Sequence, residues 1–309
     1  MSSSLSVHGW LAVIGVIACA LLRVSVATGE EFAPHPHQLD VEIANLSSFV
    51  ADTSLVRVRE HNIAGTRFHL AQDLGIQTMQ IPRVWLTYWF NEINAVQVQL
   101  RYFEASGSHG LPQPATFNGA TLAPGQRLKT GDTIWFDGAL YYERRLTPLV
   151  QKYFGQFSLV QGLDLRAKIG LEYTYLDFRL NNGKARVTPT SKGEESKEDF
   201  YHQELPMPTF GLELRRQLTE HFALEGTLKG NWINHWDSLR PEGGPVYTSQ
   251  WGVETHWHLL YTNPAWLGDI GPFIGIGYFF SRQFETSRED GNFIRLSTVG
   301  PEFGLSYSF

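Results

Sequence analysis

Cysteine is almost missing from this chain: Cys19 is the only one in 309 residues, and it lies inside an apolar N-terminal run that is expected to be removed. Disulfides therefore play no part in the stability of the mature protein, even in an oxidising compartment. Long apolar runs are missing too. The longest, Trp10–Leu22, has 13 residues, whereas a helix needs about 20 to cross a bilayer, so insertion by helices is excluded. Charge is sparse at 18% of residues and not basic: without Arg23, 24 of the 25 Lys and Arg residues face 31 Asp and Glu, a net charge of −7. That balance argues against nucleic-acid binding, which needs a concentrated basic surface. What the chain has in quantity is rings, with 9 Trp, 12 Tyr and 20 Phe. A lipid-facing wall edged by aromatic girdles is one place that uses them.

The N-terminus supports export. The apolar run is followed by Arg23-Val24-Ser25-Val26-Ala27, where Ser25 and Ala27 are the small residues a signal peptidase requires. Residues 1–27 are expected to be a cleaved signal, although Met1–Gly9 carries no Lys or Arg. A lipoprotein signal is the rival, because Val16-Ile17-Ala18 precedes Cys19, but Ala20–Val24 stays mostly apolar beyond it. Residues 28–53, with Pro34 and Pro36, are expected to form a periplasmic lead-in, and residues 54–309 the folded unit.

Beyond the signal the chain alternates apolar and polar residues in segments of about 9 to 15 residues, the period of two that a strand imposes on its faces. Ten segments stand out: a weak first one near Ser54–Glu60, then Arg83–Phe90, Ala95–Phe103, Thr133–Arg144, Leu163–Arg179, Thr209–Leu218, Phe222–Trp236, Tyr247–Tyr261, Pro272–Phe284 and Phe293–Phe309. Tight turns at Asn91–Asn94 and Thr219–His221 contrast with long stretches rich in Gly, Pro, Ser and Thr at His61–Pro82, Glu104–Asp132 and Leu180–Pro208. Leu146–Gly162 is too long for a tight turn; it extends a strand or forms a short element of its own, so 8 or 12 strands also fit. In the clearest segment, Leu163, Leu165, Ala167, Ile169, Leu171, Tyr173 and Tyr175 oppose Asp164, Arg166, Lys168, Gly170, Glu172 and Thr174. Such a strand has one wet face.

The last seven residues carry the remaining signal. Phe303, Leu305, Tyr307 and Phe309 share one face, Gly304, Ser306 and Ser308 the other, and an aromatic ring ends the chain. With this strand the chain resembles a small bacterial outer-membrane β-barrel protein of the 8- to 12-stranded class, over Ser54–Phe309. The resemblance implies an all-β, antiparallel transmembrane barrel of about ten strands in the cell outer membrane, with long external loops and short periplasmic turns. It also implies a lipid bilayer and lipopolysaccharide as surroundings, and recognition of Phe303, Leu305, Tyr307 and Phe309 by the barrel-insertion machinery during assembly. No cofactor and no nucleic-acid partner are expected.

With the apolar faces on lipid, the lumen receives Arg101, Asp137, Glu143, Arg166, Lys168, Glu172, Glu213, Arg215, Glu225, Lys229, Glu254, His256, His258 and Glu302. Side chains largely fill a barrel of about ten strands, so the expectation is a lumen laced with ion pairs, structural or at most a narrow path for small solutes. His256 and His258 point the same way on one strand, a spacing that can hold a transition metal if a third ligand comes from elsewhere. Glu254 is not that ligand, since it lies about 13 Å from His258 at the rise of a strand. The alternative function is an outer-membrane hydrolase of lipid or peptide substrates, with His235 and Asp237 at the external mouth activating a water or hydroxyl. The mixed-charge stretch Lys184–Glu204 is expected to be a solvated external loop.

Overall fold

The computed structural model describes residues 33–58, 65–117, 120–130, 134–157, 160, 162–178, 180, 201–237, 247–261, 270–286 and 291–309. The signal segment and most of Lys184–Glu204 lie outside them. Ten long strands form one antiparallel sheet in chain order: β1 (Leu39–Val50), β2 (Thr78–Trp89), β3 (Asn94–Glu104), β4 (Ile134–Arg145), β5 (Leu163–Phe178), β6 (Tyr201–Thr219), β7 (Phe222–Asp237), β8 (Tyr247–Tyr261), β9 (Ile270–Thr286) and β10 (Phe293–Ser308). β1 also pairs with β10, from Asp40 opposite Ser308 to Val50 opposite Thr298, which closes the sheet into a barrel. Closure leaves the ten long strands without a sheet edge.

Ten is the count that the alternation predicts, but one strand is a different one. The first strand is Leu39–Val50, inside the stretch expected to be a lead-in, while only Leu55–Arg57 of the expected Ser54–Glu60 segment is extended, as a short ribbon on the end of β10. The physical reason is the outer face of β1. Ile43 and Phe49 point outward and are exposed, but Asn45 and Ser47 stand between them and hydrogen-bond to Gln80 of β2 at 2.8 Å each. Two polar residues on the outer face hide the alternation. At the other connection, Leu146–Gly162 forms a short helix, α1 (Thr147–Phe154), whose Pro148 sits in the first turn where its missing N–H is tolerated. The Thr147 hydroxyl donates to Asp164 at 2.6 Å, tying α1 to the start of β5.

Both termini of the barrel, the short turns and the α1 connection share one end, and the connections that follow β1, β3, β5, β7 and β9 share the other. At that loop end, residues 51–77 and 105–130 do not spread as polar loops. They add short ribbons, Ser108–Gly110 with Arg127–Lys129 and Ala115–Phe117 with Ala120–Leu122, and join each other where the Thr66 N–H donates to the Thr116 carbonyl at 2.7 Å. Leu70, Leu74, Ile76, Leu111, Phe117 and Leu128 are buried there together with the inward rings Phe103, Trp135 and Phe279 in one apolar cluster. The cap is a hydrophobic core seated on the loop end, and its apolar residues follow no period that a sequence reading detects.

Candidate functional site

Below the cap the lumen changes character. Arg101 of β3 sits at the boundary: its guanidinium lies 4.8 Å from the Phe279 ring and 5.4 Å from that of Phe103, while all three of its nitrogens point to carboxylates. Nε donates to Asp137 at 2.6 Å, Nη2 to Glu172 at 2.6 Å, and Nη1 to Glu254. Asp137 is directly opposite on β4. Glu254 is on β8, five strands away in a ring of ten, so this contact crosses the full width of the barrel. Lys229 of β7 reaches Glu254 at 3.0 Å and Gln99 of β3 at 2.6 Å. The Trp135 indole donates to Asp137 at 3.1 Å, which joins cap and ion network through one side chain.

A second layer lies nearer the turn end. Arg166 pairs with Asp164 at 2.8 Å, Glu213 at 3.3 Å and Glu143 at 3.4 Å, over the buried Trp89 ring at 4.9 Å. Lys168 bridges Glu143 at 3.4 Å and Glu213, and Arg145 closes on Asp164. Arg215 and Glu225 face each other across β6 and β7. Every sequence-predicted lumen charge thus points inward. Sequence reading left Arg83, Arg145 and Tyr141 out of the lumen, and Asp164 out of its charged set although it stands on the polar face of β5. Arg83 is 2% exposed and reaches Glu254 at 2.8 Å and Glu302 at 3.0 Å; its signal was the alternation Arg83, Trp85, Thr87, Trp89 against Val84, Leu86, Tyr88, Phe90. Tyr141 and Trp89 are buried in the lumen, away from the lipid face.

The third cluster holds the two strand histidines. His256 and His258 of β8 both contact Oε2 of Glu302 on β10, at 2.7 Å from Nδ1 and 3.0 Å from Nε2. These three donor atoms lie within 4.8 Å of one another. The strand between them, β9, places Gly277 beside His256 and Gly275 beside both His258 and Glu302. A Cβ at 275 would stand 2.5 Å from His258 Cδ2, and one at 277 would stand 2.9 Å from His256 Nδ1. The glycines clear the space through which β8 reaches β10. A cavity of about 40 Å³ lined by His256, His258, Glu225 and Glu42 adjoins the cluster, room for about three waters.

His235 and Asp237 lie elsewhere. The register of β7 shifts between Ile233 and Trp236, His235 adopts φ 52°, and both side chains are exposed. The His235 ring stacks on Tyr247 at 4.1 Å, and the His235 backbone N–H donates to the Ser249 hydroxyl at 3.0 Å.

The outer wall is the reverse of the lumen. Leu100, Leu140, Ile169, Leu171, Phe210 and Leu212 are each 42 to 60% exposed, flanked by Tyr88, Phe90, Tyr142 and Phe309 at the turn end and by Trp232, Trp236 and Trp251 at the loop end. Charges bridge opposite walls inside while leucines face out, and water as the outer solvent would make that arrangement unstable. The chain is a transmembrane β-barrel of the outer-membrane type. No family model and no curated protein match it. Among solved structures it is similar to the outer membrane protease OmpT from Escherichia coli (10% identity, 91% of this chain and 100% of that one, TM-score 0.49). It is also similar to the outer membrane protein OprG from Pseudomonas aeruginosa (10%, 89% and 98%, TM-score 0.37) and to the translocator domain of the autotransporter NalP from Neisseria meningitidis (10%, 100% and 100%, TM-score 0.36). For this barrel, an arginine in place of Leu171, midway along β5 on the lipid face, is expected to cost about 2–4 kcal/mol, measured as a shift in the urea midpoint in phospholipid vesicles.

Proposed function

We propose that this protein is a non-conducting barrel of the cell outer membrane, a rigid structural body whose loop end faces outward and whose closing strand, with Phe303, Leu305, Tyr307 and Phe309, addresses it to the insertion machinery. The observation that carries the reading is the contact of Arg101 with Glu254. When side chains on diametrically opposite strands hydrogen-bond to each other, no path wider than a water molecule passes between them, and among the described residues the apolar cap packs on the inward rings above that contact. The cavity of about 40 Å³ beside His256 and His258 has room for a few waters or one small ion and for no larger solute. Both signs of charge are present and paired, so the interior offers no single-sign ring of the kind that selects an ion.

Planar-bilayer recording tests this. Purified protein is expected to insert without conductance steps across ±100 mV at about 1 M salt, conditions under which surface electrostatics are screened to about 3 Å. Discrete ohmic steps that scale with the amount of protein would overturn the reading in favour of a narrow channel.

A further inference from the structure

We propose that His256, His258 and Glu302 bind one divalent transition-metal ion of the zinc or copper class, which staples β8 to β10 across β9. Two imidazole nitrogens and one carboxylate oxygen are a donor set suited to such ions and poorly suited to calcium or magnesium, which take oxygen. Nitrogen or oxygen ligands about 2.0–2.1 Å from a tetrahedral ion stand about 3.3 Å apart. The Glu302 oxygen now lies 2.7 and 3.0 Å from the two nitrogens, and all three donor atoms lie within 4.8 Å of one another, so accommodating the ion requires the carboxylate to withdraw by a few tenths of an ångström and the two rings to turn toward each other.

The surroundings supply what ligating histidines need. A metal-bound imidazole usually donates its other N–H to a carboxylate, which fixes the tautomer. Nε2 of His256 is 2.6 Å from Glu254 Oε1, and Nδ1 of His258 is 3.9 Å from Glu225 Oε1. Each histidine therefore has its own second carboxylate on the side away from Glu302. Without metal, the Glu302 oxygen accepts N–H bonds from both rings. On binding, the proton on Nδ1 of His256 moves to Nε2, facing Glu254, and the one on Nε2 of His258 moves to Nδ1, facing Glu225. Each ring is then neutral and ligates through the nitrogen that faces Glu302, and any second ring proton is released to water, as metal binding to a protonated ligand requires. Arg83 Nη1, now 2.6 Å from His256 Nε2, then gives up that contact and keeps its carboxylates.

Two further features favour an ion here. Glu302 is fully buried, and its Oε1 has no well-aligned hydrogen bond in the described structure despite the Arg83 Nη2 at 3.0 Å. The inward side of β9 carries glycine at both positions beside the rings, leaving them free to turn, and the adjoining cavity gives a hydrated ion a place to shed water.

The full protein, folded in detergent micelles and stripped with EDTA, is expected to take up one equivalent of Cu²⁺ whose electron paramagnetic resonance spectrum shows coupling to two imidazole nitrogens. Zn²⁺ alone is expected to bind the stripped protein and raise the urea midpoint, and to compete with Cu²⁺ only in large excess, since Cu²⁺ is the tighter ion at nitrogen and oxygen ligands. His258→Ala should leave one coupled nitrogen and weaken affinity by more than the roughly 10- to 100-fold that loss of a group behind a ligand costs; His235→Ala, on the exposed bulge, should change neither. The absence of a bound equivalent, or a two-nitrogen spectrum that survives in His256→Ala/His258→Ala, overturns the proposal. If those variants do not fold, a urea midpoint of the unaltered protein that ignores saturating Zn²⁺ overturns it as well. Conductance does not enter these readouts, so this site and the non-conducting reading stand or fall separately.

Discussion

Arg101→Ala is expected to be the most damaging single substitution in the barrel, lowering stability by about 5 kcal/mol or more and leaving little protein that keeps its folded, fast-migrating form on unheated gels. The reason is the number of partners. Removing one member of a buried ion pair typically costs about 3–5 kcal/mol, because the surviving charge is left in a medium that does not solvate it. Arg101 serves three carboxylates, Asp137, Glu172 and Glu254, each 4% exposed or less. Arg101→Lys provides the control. An ammonium keeps the charge but lacks the planar fork that sends Nε, Nη1 and Nη2 in three directions, so it is expected to recover only part of the loss. Equal stability of the lysine variant and the parent would show that net charge, and not the fork, holds the network.

Trp135→Ala is expected to follow, at about 3–5 kcal/mol, the usual cost of emptying a large aromatic site in a core. Trp135 is stacked on Phe103 at a centroid distance of 4.8 Å and meets Phe279 edge-on at 5.8 Å. Its loss opens a void between cap and barrel and also removes the indole donor from Asp137. Trp135→Phe separates the two effects, since it refills most of the volume without the N–H. Chemical denaturation in vesicles measures both, and a cost below about 1 kcal/mol for the alanine variant would mean that the cap repacks into the void.

Much of this architecture is written in the period of two. Tyr247–Tyr261 is bounded identically in sequence and structure, and the charges of β5 follow its alternation from Asp164 to Glu172. Three features escape that signal for physical reasons. β1 escapes because Asn45 and Ser47 satisfy each other and Gln80 on the outer face, so its outer face does not read as apolar. The cap escapes because Leu70, Leu74, Ile76 and Leu128 converge from irregular backbone, where spacing along the chain says nothing about proximity. The third partner of His256 and His258 escapes because it comes from β10 and not from a paired strand. Only the two glycines of β9 hint that a side chain passes over that strand, and a glycine within a strand equally marks a bulge or a tight bend.

The joint between the first and last strands has one more consequence. β1 pairs with β10 from Asp40 to Val50, the Ala51 N–H then donates to the Ser297 carbonyl at 2.8 Å, Ser54 bonds Ser297 through its hydroxyl, and Leu55–Arg57 continues along Phe293–Arg295. The closing joint is thus bonded along nearly all of β10, and the chain that completes it belongs to the cap. A side door into the bilayer would have to part that joint and unseat the cap together. At this joint a molecule inside the wall has no lateral exit to lipid.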